Sequence, residues 1–230
     1  MSISVRNQLL LGLSKSDRAL LWPRLEPTTL DRGAQIEDAN TPIRFVYFPD
    51  DSVISVVARS TYDQIETALI GREGMSGTAV VLGNHRSPYD AFALLPGSAH
   101  RISAKNLRSV LDARRSLRQR FQRFAQVLTV QISQTAFANG TARIEERLAR
   151  WLLMVQDRQD DNEIRLTHQA IAAMLGVRRS GVTDALHALE GRGLLHASRG
   201  LVTVVNRRGL IGLARKIYGV PEAEHRRLIE

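Results

Sequence analysis

Leu166-Thr-His-Gln-Ala-Ile-Ala-Ala-Met-Leu-Gly-Val-Arg-Arg-Ser-Gly-Val-Thr-Asp-Ala-Leu-His-Ala-Leu-Glu190 is the stretch of this 230-residue chain from which its fold is read. Thr167 is placed to cap a short first helix. Ile171 and Leu175 give that helix a buried face. Ala172 falls where two helices cross closely and a small side chain is required. Gly176 stands four residues later, at a turn that needs positive φ. Val177 and Val182 return to the core. A helical hairpin can contain each of these residues singly, whereas the spacing of Ala172, Gly176 and Val182 is the steric requirement of a tight helix-turn-helix.

The second helix is expected to start near Arg178 or Arg179 and run to about Leu189. Arg178, Arg179, Ser180, Thr183 and Asp184 share its outward side and its first turns. The N-terminal turns of a recognition helix are the part that reaches base edges. An arginine fork matches guanine O6 and N7, and Asp184 can accept from a cytosine amino group or merely orient a neighbouring arginine. Ser180 and Thr183 can bond bases or phosphates. Thr167 and His168 would face the DNA backbone, where helix N-termini favour phosphate. The alternative for Arg178 and Arg179 is two solvated charges; their place just past Val177 favours contact with DNA. Gly191-Arg-Gly and Leu194–Val205 read as a turn and two short strands, a wing with Arg199-Gly200 at its tip.

Outward from this motif, Thr141 opens an amphipathic segment to about Val155, and Asp157–Asn162 is a polar loop. From Ser116 the period is helical. Leu117, Phe121, Phe124, Leu128, Gln131 and Thr135 recur every three or four residues, widened by Val127 and Ile132. Such a seam pairs with a second copy of itself as a coiled coil; the alternative is a helix packed on its own domain. Arg114, Arg115, Arg118 and Arg120 on the other face favour the dimer. Asn139-Gly140 ends the helix. Between Gly33 and Ser103, Phe45–Phe48, Val53–Val57, Ile65–Ile70 and Ala91–Leu95 read as strands of a small antiparallel barrel or jelly roll, separated by Gly, Pro and Asp turns. Residues 3–30 read as helical, with an apolar face from Leu9 to Leu25 and a cap at Ser16-Asp17.

Composition bounds the chemistry. There is no cysteine, which excludes disulfides, thiolate zinc sites and cysteine-held iron–sulfur clusters. The net charge is +9. Residues 1–100 carry nine basic groups against eleven acidic ones, residues 101–140 eight against Asp112 alone, and residues 141–230 fifteen against eleven. The basic excess in the middle and C-terminal parts favours a polyanion partner. No apolar run approaches the roughly 20 residues of a membrane span. Met1-Ser-Ile-Ser-Val-Arg has no leader pattern, so a soluble cytoplasmic protein is expected.

At this point the chain resembles the Crp/Fnr superfamily of bacterial regulators. The resemblance covers nearly its whole length: the early helix, Ile43-Arg-Phe-Val-Tyr-Phe-Pro, the turn Gly71-Arg-Glu-Gly-Met-Ser-Gly, the long helix and the winged motif. It implies an α+β fold: an N-terminal antiparallel β-roll of the cyclic-nucleotide-binding type (1–115), a long dimerisation helix (116–139) and a C-terminal winged helix-turn-helix (140–230). It also implies a homodimer on a near-palindromic operator in double-stranded DNA, with RNA polymerase as a further partner. The dimer interface expected is Leu117, Phe121, Phe124, Leu128, Gln131, Ile132 and Thr135.

The departures are informative. The family's DNA-reading pattern is Arg-Glu with a second Arg four residues after the Glu. Arg179 matches the first Arg, Ser180 replaces the Glu and Asp184 replaces the second Arg, which implies an operator other than the catabolite-activator consensus. Cyclic-nucleotide binders carry a Gly-Glu pair for the ribose and an Arg-Ser pair for the phosphate. Gly77-Thr78 and Arg86-Ser87 stand there, so the ribose acceptor is lost and cAMP is not the expected ligand. The effector set implied is Gly71, Glu73, Gly74, Gly77, Thr78, Arg86 and Ser87. A cysteine-held oxygen-sensing cluster is excluded, and His85 and His100 are the haem-ligand candidates, with a surface position the commoner fate.

Three other classes compete. Glu73, His85 and Asp90 form a conceivable acid–base set, but no nucleophile elbow, phosphate loop or metal spacing accompanies them, so no enzyme is expected. A protein-interaction module without DNA would bind with little salt dependence. Within the regulator class, the β-roll can be a ligand-free scaffold.

Overall fold

The computed structural model describes residues 5–61 and 63–230; residues 3 and 4 of the expected first helix lie outside them. The N-terminal segment is not one helix. α1 (Gln8–Leu11) is capped by Asn7 and α2 (Lys15–Leu21) by Ser14, which accepts from the Asp17 N–H. The expected cap at Ser16-Asp17 is thus displaced to Ser14, and Asp17 is buried under Ser116, whose hydroxyl donates to it at 2.9 Å. A 3₁₀ turn (Trp22–Arg24) follows, and residues 26–30 are a strand rather than helix. Pro23 in that turn and Pro27 in the following segment cannot continue a helix; Pro27 is tolerated because its strand lies at a sheet edge.

Two antiparallel sheets form the β-roll. One has the order β1 (Glu26–Leu30), β7 (Gly97–Ser103), β3 (Phe45–Pro49). The other has the order β2 (Gln35–Glu37), β6 (Asp90–Leu95), β4 (Val53–Arg59), β5 (Gln64–Ile70). The four expected strands are present as β3, β4, β5 and β6. The apolar run at Ala79–Leu82, which has the length of a strand, instead lies in and just after the short helix α3 (Thr78–Val81), which starts from Gly77 at φ +67°. A separate helix, α4 (Ala104–Ala113), precedes the long one.

The long helix, α5, spans Arg115–Thr141, and Gly140 lies inside its last turn instead of ending it. α6 is Ile144–Gln156; Arg143 is its cap position and Glu146 accepts from the Arg143 N–H, so Thr141 does not cap it. The C-terminal part then runs β8 (Glu163–Ile164), α7 (His168–Leu175), α8 (Arg179–Gly191), β9 (Leu195–Ser198), β10 (Leu201–Val204), α9 (Arg207–Ala214) and α10 (Val220–Ile229).

There are two cores. The first lies inside the β-roll and includes Phe48, Ile102, Leu107, Phe121, Phe124 and Leu128. The second lies in the winged domain, and Val53, Leu69, Leu94 and Leu95 of the β-roll belong to it. This explains why Val53–Val57 is buried at every position instead of alternating: the sheet is covered on both faces. α10 belongs to neither expectation. It packs on α5 and puts Leu228 and Ile229 into the first core. The Arg120 guanidinium donates to the Ile229 carbonyl at 3.1 Å, and the His225 ring contacts the Glu73 carbonyl at 3.2 Å.

Candidate nucleic-acid interface

The turn between α7 and α8 is built by its backbone. Thr167 accepts from the Ala170 N–H at 3.1 Å and starts α7. Gly176 adopts φ +61°, its N–H donates to the Ala173 carbonyl, and the Val177 N–H donates to the Ala172 carbonyl at 3.0 Å. These two bonds close a Schellman motif, which satisfies the last carbonyls of α7 and turns the chain sharply. Ala172, Val182 and Leu186 are buried at the crossing. Gly176 answers a second demand as well: a Cβ there would sit 2.9 Å from Ile65 Cδ1 on β5.

α8 then starts at the surface. Arg178 is its cap position, with no side-chain cap bond, so the first N–H groups of α8 keep no side-chain partner. Arg178, Arg179, Ser180 and Asp184 are exposed, and neither guanidinium makes a hydrogen bond or ion pair with any described residue. Asp184 does not pair with either arginine. Thr183 is half-buried and committed: its hydroxyl donates to the Arg179 carbonyl at 3.1 Å and lies 3.0 Å from His168 Nδ1. His168 therefore ties α7 to α8. Burial first, then the nearby Arg179 and His187, hold its pKa below the ordinary histidine value, which leaves it neutral at neutral pH.

The wing has the expected form. Arg199 is exposed at the β9–β10 turn, where Gly200 has φ +77°. Glu190 anchors it: the carboxylate accepts from the Ala197 N–H at 3.0 Å and pairs with His196 at 2.7 Å, and its pKa is lowered chiefly by the Ala197 bond. His187, exposed one turn beyond Thr183, extends the outward face of α8 and went unread in the sequence, although its i, i+4, i+8 spacing from Arg179 and Thr183 marks it.

The expected effector residues do not form one site. Glu73 accepts from the Gly71 N–H at 3.2 Å and pairs with the buried Arg158 at 2.8 Å. A Cβ on Gly74 would meet Phe124 Cζ at 2.1 Å, and one on Gly71 would meet Arg158 Cγ at 2.6 Å. These two glycines thus serve close packing against α5 and the end of α6. Arg86 is exposed and its guanidinium donates to the Asn40 carbonyl at 2.6 Å. Gly77, Thr78 and Ser87 do come together, around a carboxylate that sequence reasoning missed. Glu37 accepts from the Gly77 N–H at 2.7 Å and burial raises its pKa, while the nearby Ser87 hydroxyl donates to the Tyr89 carbonyl at 2.7 Å. The space left between Glu37, Gly77, Thr78 and Tyr89 is about 10 Å³. A nucleotide needs a pocket some tens of times larger.

His100 is buried and bonds Asp50 at 2.7 Å, so the surface fate expected for it is corrected; His85 is exposed beside Arg108. Asp90 pairs with Arg59, so Glu73, His85 and Asp90 share no hydrogen bond. The described residues hold no metal-ligating cluster, and none of their helices is long and apolar enough to cross a membrane.

The expected dimer seam is occupied within one chain. Leu117, Phe121, Phe124 and Leu128 are buried against the β-roll, and Gln131 exchanges two hydrogen bonds with the Leu69 backbone, at 2.7 and 3.1 Å. Ile132 is half-buried on the same core, and Thr135 bonds Arg150 at 3.2 Å. Their period reflects packing on the domain itself, the alternative weighed for them. The open face of α5 is instead Gln119, Gln122, Gln126, Thr129, Ser133 and Phe137, with Phe137 50% exposed.

The chain thus joins a β-roll through a long helix to a winged helix-turn-helix, with exposed arginines at the start of α8. Residues 146–213 match the Crp-like helix-turn-helix domain family. Over most of its length the chain is similar in fold to solved regulators described as of the Crp/Fnr or CRP family. Similar solved structures include FixK2 of Bradyrhizobium japonicum, at a TM-score of 0.69 and 16% identity, covering 82% of this chain and 96% of that one. A CRP-family transcriptional regulator of Thermus thermophilus follows at 0.68 and 16%, with 82% and 96% covered. The c-di-GMP-responsive global regulator CLP of Xanthomonas campestris gives 0.66 and 15%, with 83% and 99% covered. At these identities the likeness is one of fold. No curated protein sequence matches the chain.

Proposed function

We propose that this chain is a sequence-specific, non-enzymatic transcription regulator that binds double-stranded DNA in the cytoplasm as a homodimer. The observation that carries the reading is the pair Arg178 and Arg179 at the uncapped start of α8, whose guanidinium groups have no partner among the described residues. Guanidinium groups free of internal partners keep their donors for bases and phosphates, and the free N–H groups behind them favour an anion. Ser180, Asp184, His187 and Arg199 complete the contact surface, with Thr167 on the flanking backbone. Thr183 and His168 act by fixing α8 on α7.

A second copy is proposed to pair along the open face of α5, centred on Phe137, which leaves two copies of α8 to read a near-palindromic operator beside RNA polymerase. Because Glu37 already occupies the Gly77 N–H and the Ser87 hydroxyl is committed to the Tyr89 carbonyl, the β-roll is read as a scaffold that takes no cyclic nucleotide. Selection of bound fragments from random DNA tests the whole reading. The expected product is an inverted repeat whose affinity falls steeply as salt is raised. Recovery of no enriched sequence, or binding indifferent to salt, would leave the protein-interaction module as the better account.

A further inference from the structure

The contact between the β-roll and the winged domain joins an apolar core to polar links such as Glu73–Arg158, and it encloses Glu66 on β5. This side chain is buried, at 5% exposure. Its Oε1 accepts from the Trp151 indole N–H of α6 at 2.7 Å, so one of its two bonds crosses between the domains. Its Oε2 accepts from the Ser55 hydroxyl of β4 at 2.5 Å. Both donors are neutral, and Glu66 takes part in no ion pair among the described residues.

The charged groups around it are committed elsewhere. Arg150 donates to Thr135, Arg147 donates to the Leu175 carbonyl, and Arg158 pairs with Glu73. α7 contributes Met174 and Leu175, and β4 contributes Ser55 and its register neighbour Val57; none of these titrates. A carboxylate stripped of water without a touching cation favours its neutral form. Burial accordingly pushes Glu66 up to about 7, against smaller opposing effects of Ser55, Trp151, Arg158 and Arg150. The neutral form is also fully bonded. A protonated Oε2 can donate to Ser55, whose hydroxyl turns to Met174 Sδ, 3.5 Å away, while Trp151 keeps its bond to Oε1.

We propose that Glu66 is a proton-operated clasp: its protonated carboxyl holds the β-roll and the winged domain together, and loss of that proton to bulk water loosens the contact at Trp151. The orientation of α8 relative to the β-roll then responds to pH across the neutral range. Nothing in the DNA-reading surface is required for this, so the clasp and the operator reading stand or fall separately.

The chain has two tryptophans. A Trp22→Phe variant therefore makes Trp151 the sole indole emitter, and its fluorescence is followed from about pH 5.5 to about pH 8.5. The expected result is a single transition centred within about one unit of neutrality that vanishes on adding Glu66→Gln, which puts an uncharged side chain of the same shape in place of the carboxyl. Hydrogen exchange, corrected for its intrinsic pH dependence, should rise at least about threefold in β5 and α6 on the alkaline side with Glu66, and stay level once Glu66→Gln has been introduced. A flat emission profile with Glu66 present overturns the proposal without any need for the second variant. An identical transition after Glu66→Gln, or exchange that ignores pH, overturns it too.

Discussion

Arg179 illustrates how little a single side chain needs for a sharp expectation. It is exposed, its guanidinium has no partner among the described residues, and it stands in the first turn of α8. Arg179→Ala should cost about 1–3 kcal/mol on the selected operator and relax preference at one base pair. Fluorescence anisotropy on the operator and on single-base variants measures this; equal losses on every sequence would make Arg179 a phosphate contact. Gly176 is a different case. Gly176→Ala forces a Cβ into φ +61° and against Ile65, so stability should fall by about 1–2 kcal/mol. Urea denaturation reads the loss, and Ile65→Val in the same chain should restore part of it by removing Cδ1. Glu66 adds a pH dependence whose sign is definite. Its folded pKa, about 7, exceeds the ordinary carboxyl value, so its favourable contribution is complete in acid and is lost as pH rises through neutrality. Between pH 5 and 8 the native chain should lose on the order of 2–3 kcal/mol that the Glu66→Gln variant keeps, as read by thermal denaturation. The glycine and the arginines were readable because local sterics and spacing announce them. Glu37 and Glu66 were not, because neither sits in a motif and each acquires its meaning only from residues tens of positions away.

Whole elements were read with uneven success, for a physical reason. Strands β3 to β6 and helices α7 and α8 carry their period and their turn residues locally. β1 was hidden because Leu25, just before it, continues the spacing of Leu20 and Leu21 in α2, and only the two prolines mark the change. The long helix shows the limit most clearly. A repeat of Leu117, Phe121, Phe124 and Leu128 says that one side is buried and leaves open what buries it. Here the β-roll does so, which changes the expected effect of Phe124→Asp: a carboxylate forced into a closed core. That variant should unfold the β-roll rather than release a folded monomer, and circular dichroism distinguishes the two outcomes. Phe137→Asp, on the open face, is the substitution expected to split the dimer while the melting temperature of the β-roll is preserved; analytical ultracentrifugation checks it.

At the scale of the molecule, the β-roll, α5 and the winged domain form a continuous body in which each part helps to bury the next. α10 ties the arrangement together, since it springs from the winged domain and places Ile229 inside the core of the β-roll. Residues 1–100 are slightly acidic and the rest strongly basic, so attraction for a polyanion is concentrated on the later part of the chain. Ile229 also bears on the order in which the protein can be made. The β-roll leaves the ribosome before the winged domain, yet a piece of its interior is supplied by a helix synthesised more than a hundred residues later. Until that helix arrives, the side of Phe124 and Val127 facing α10 stays wet, and the β-roll waits on α10 for its full cover.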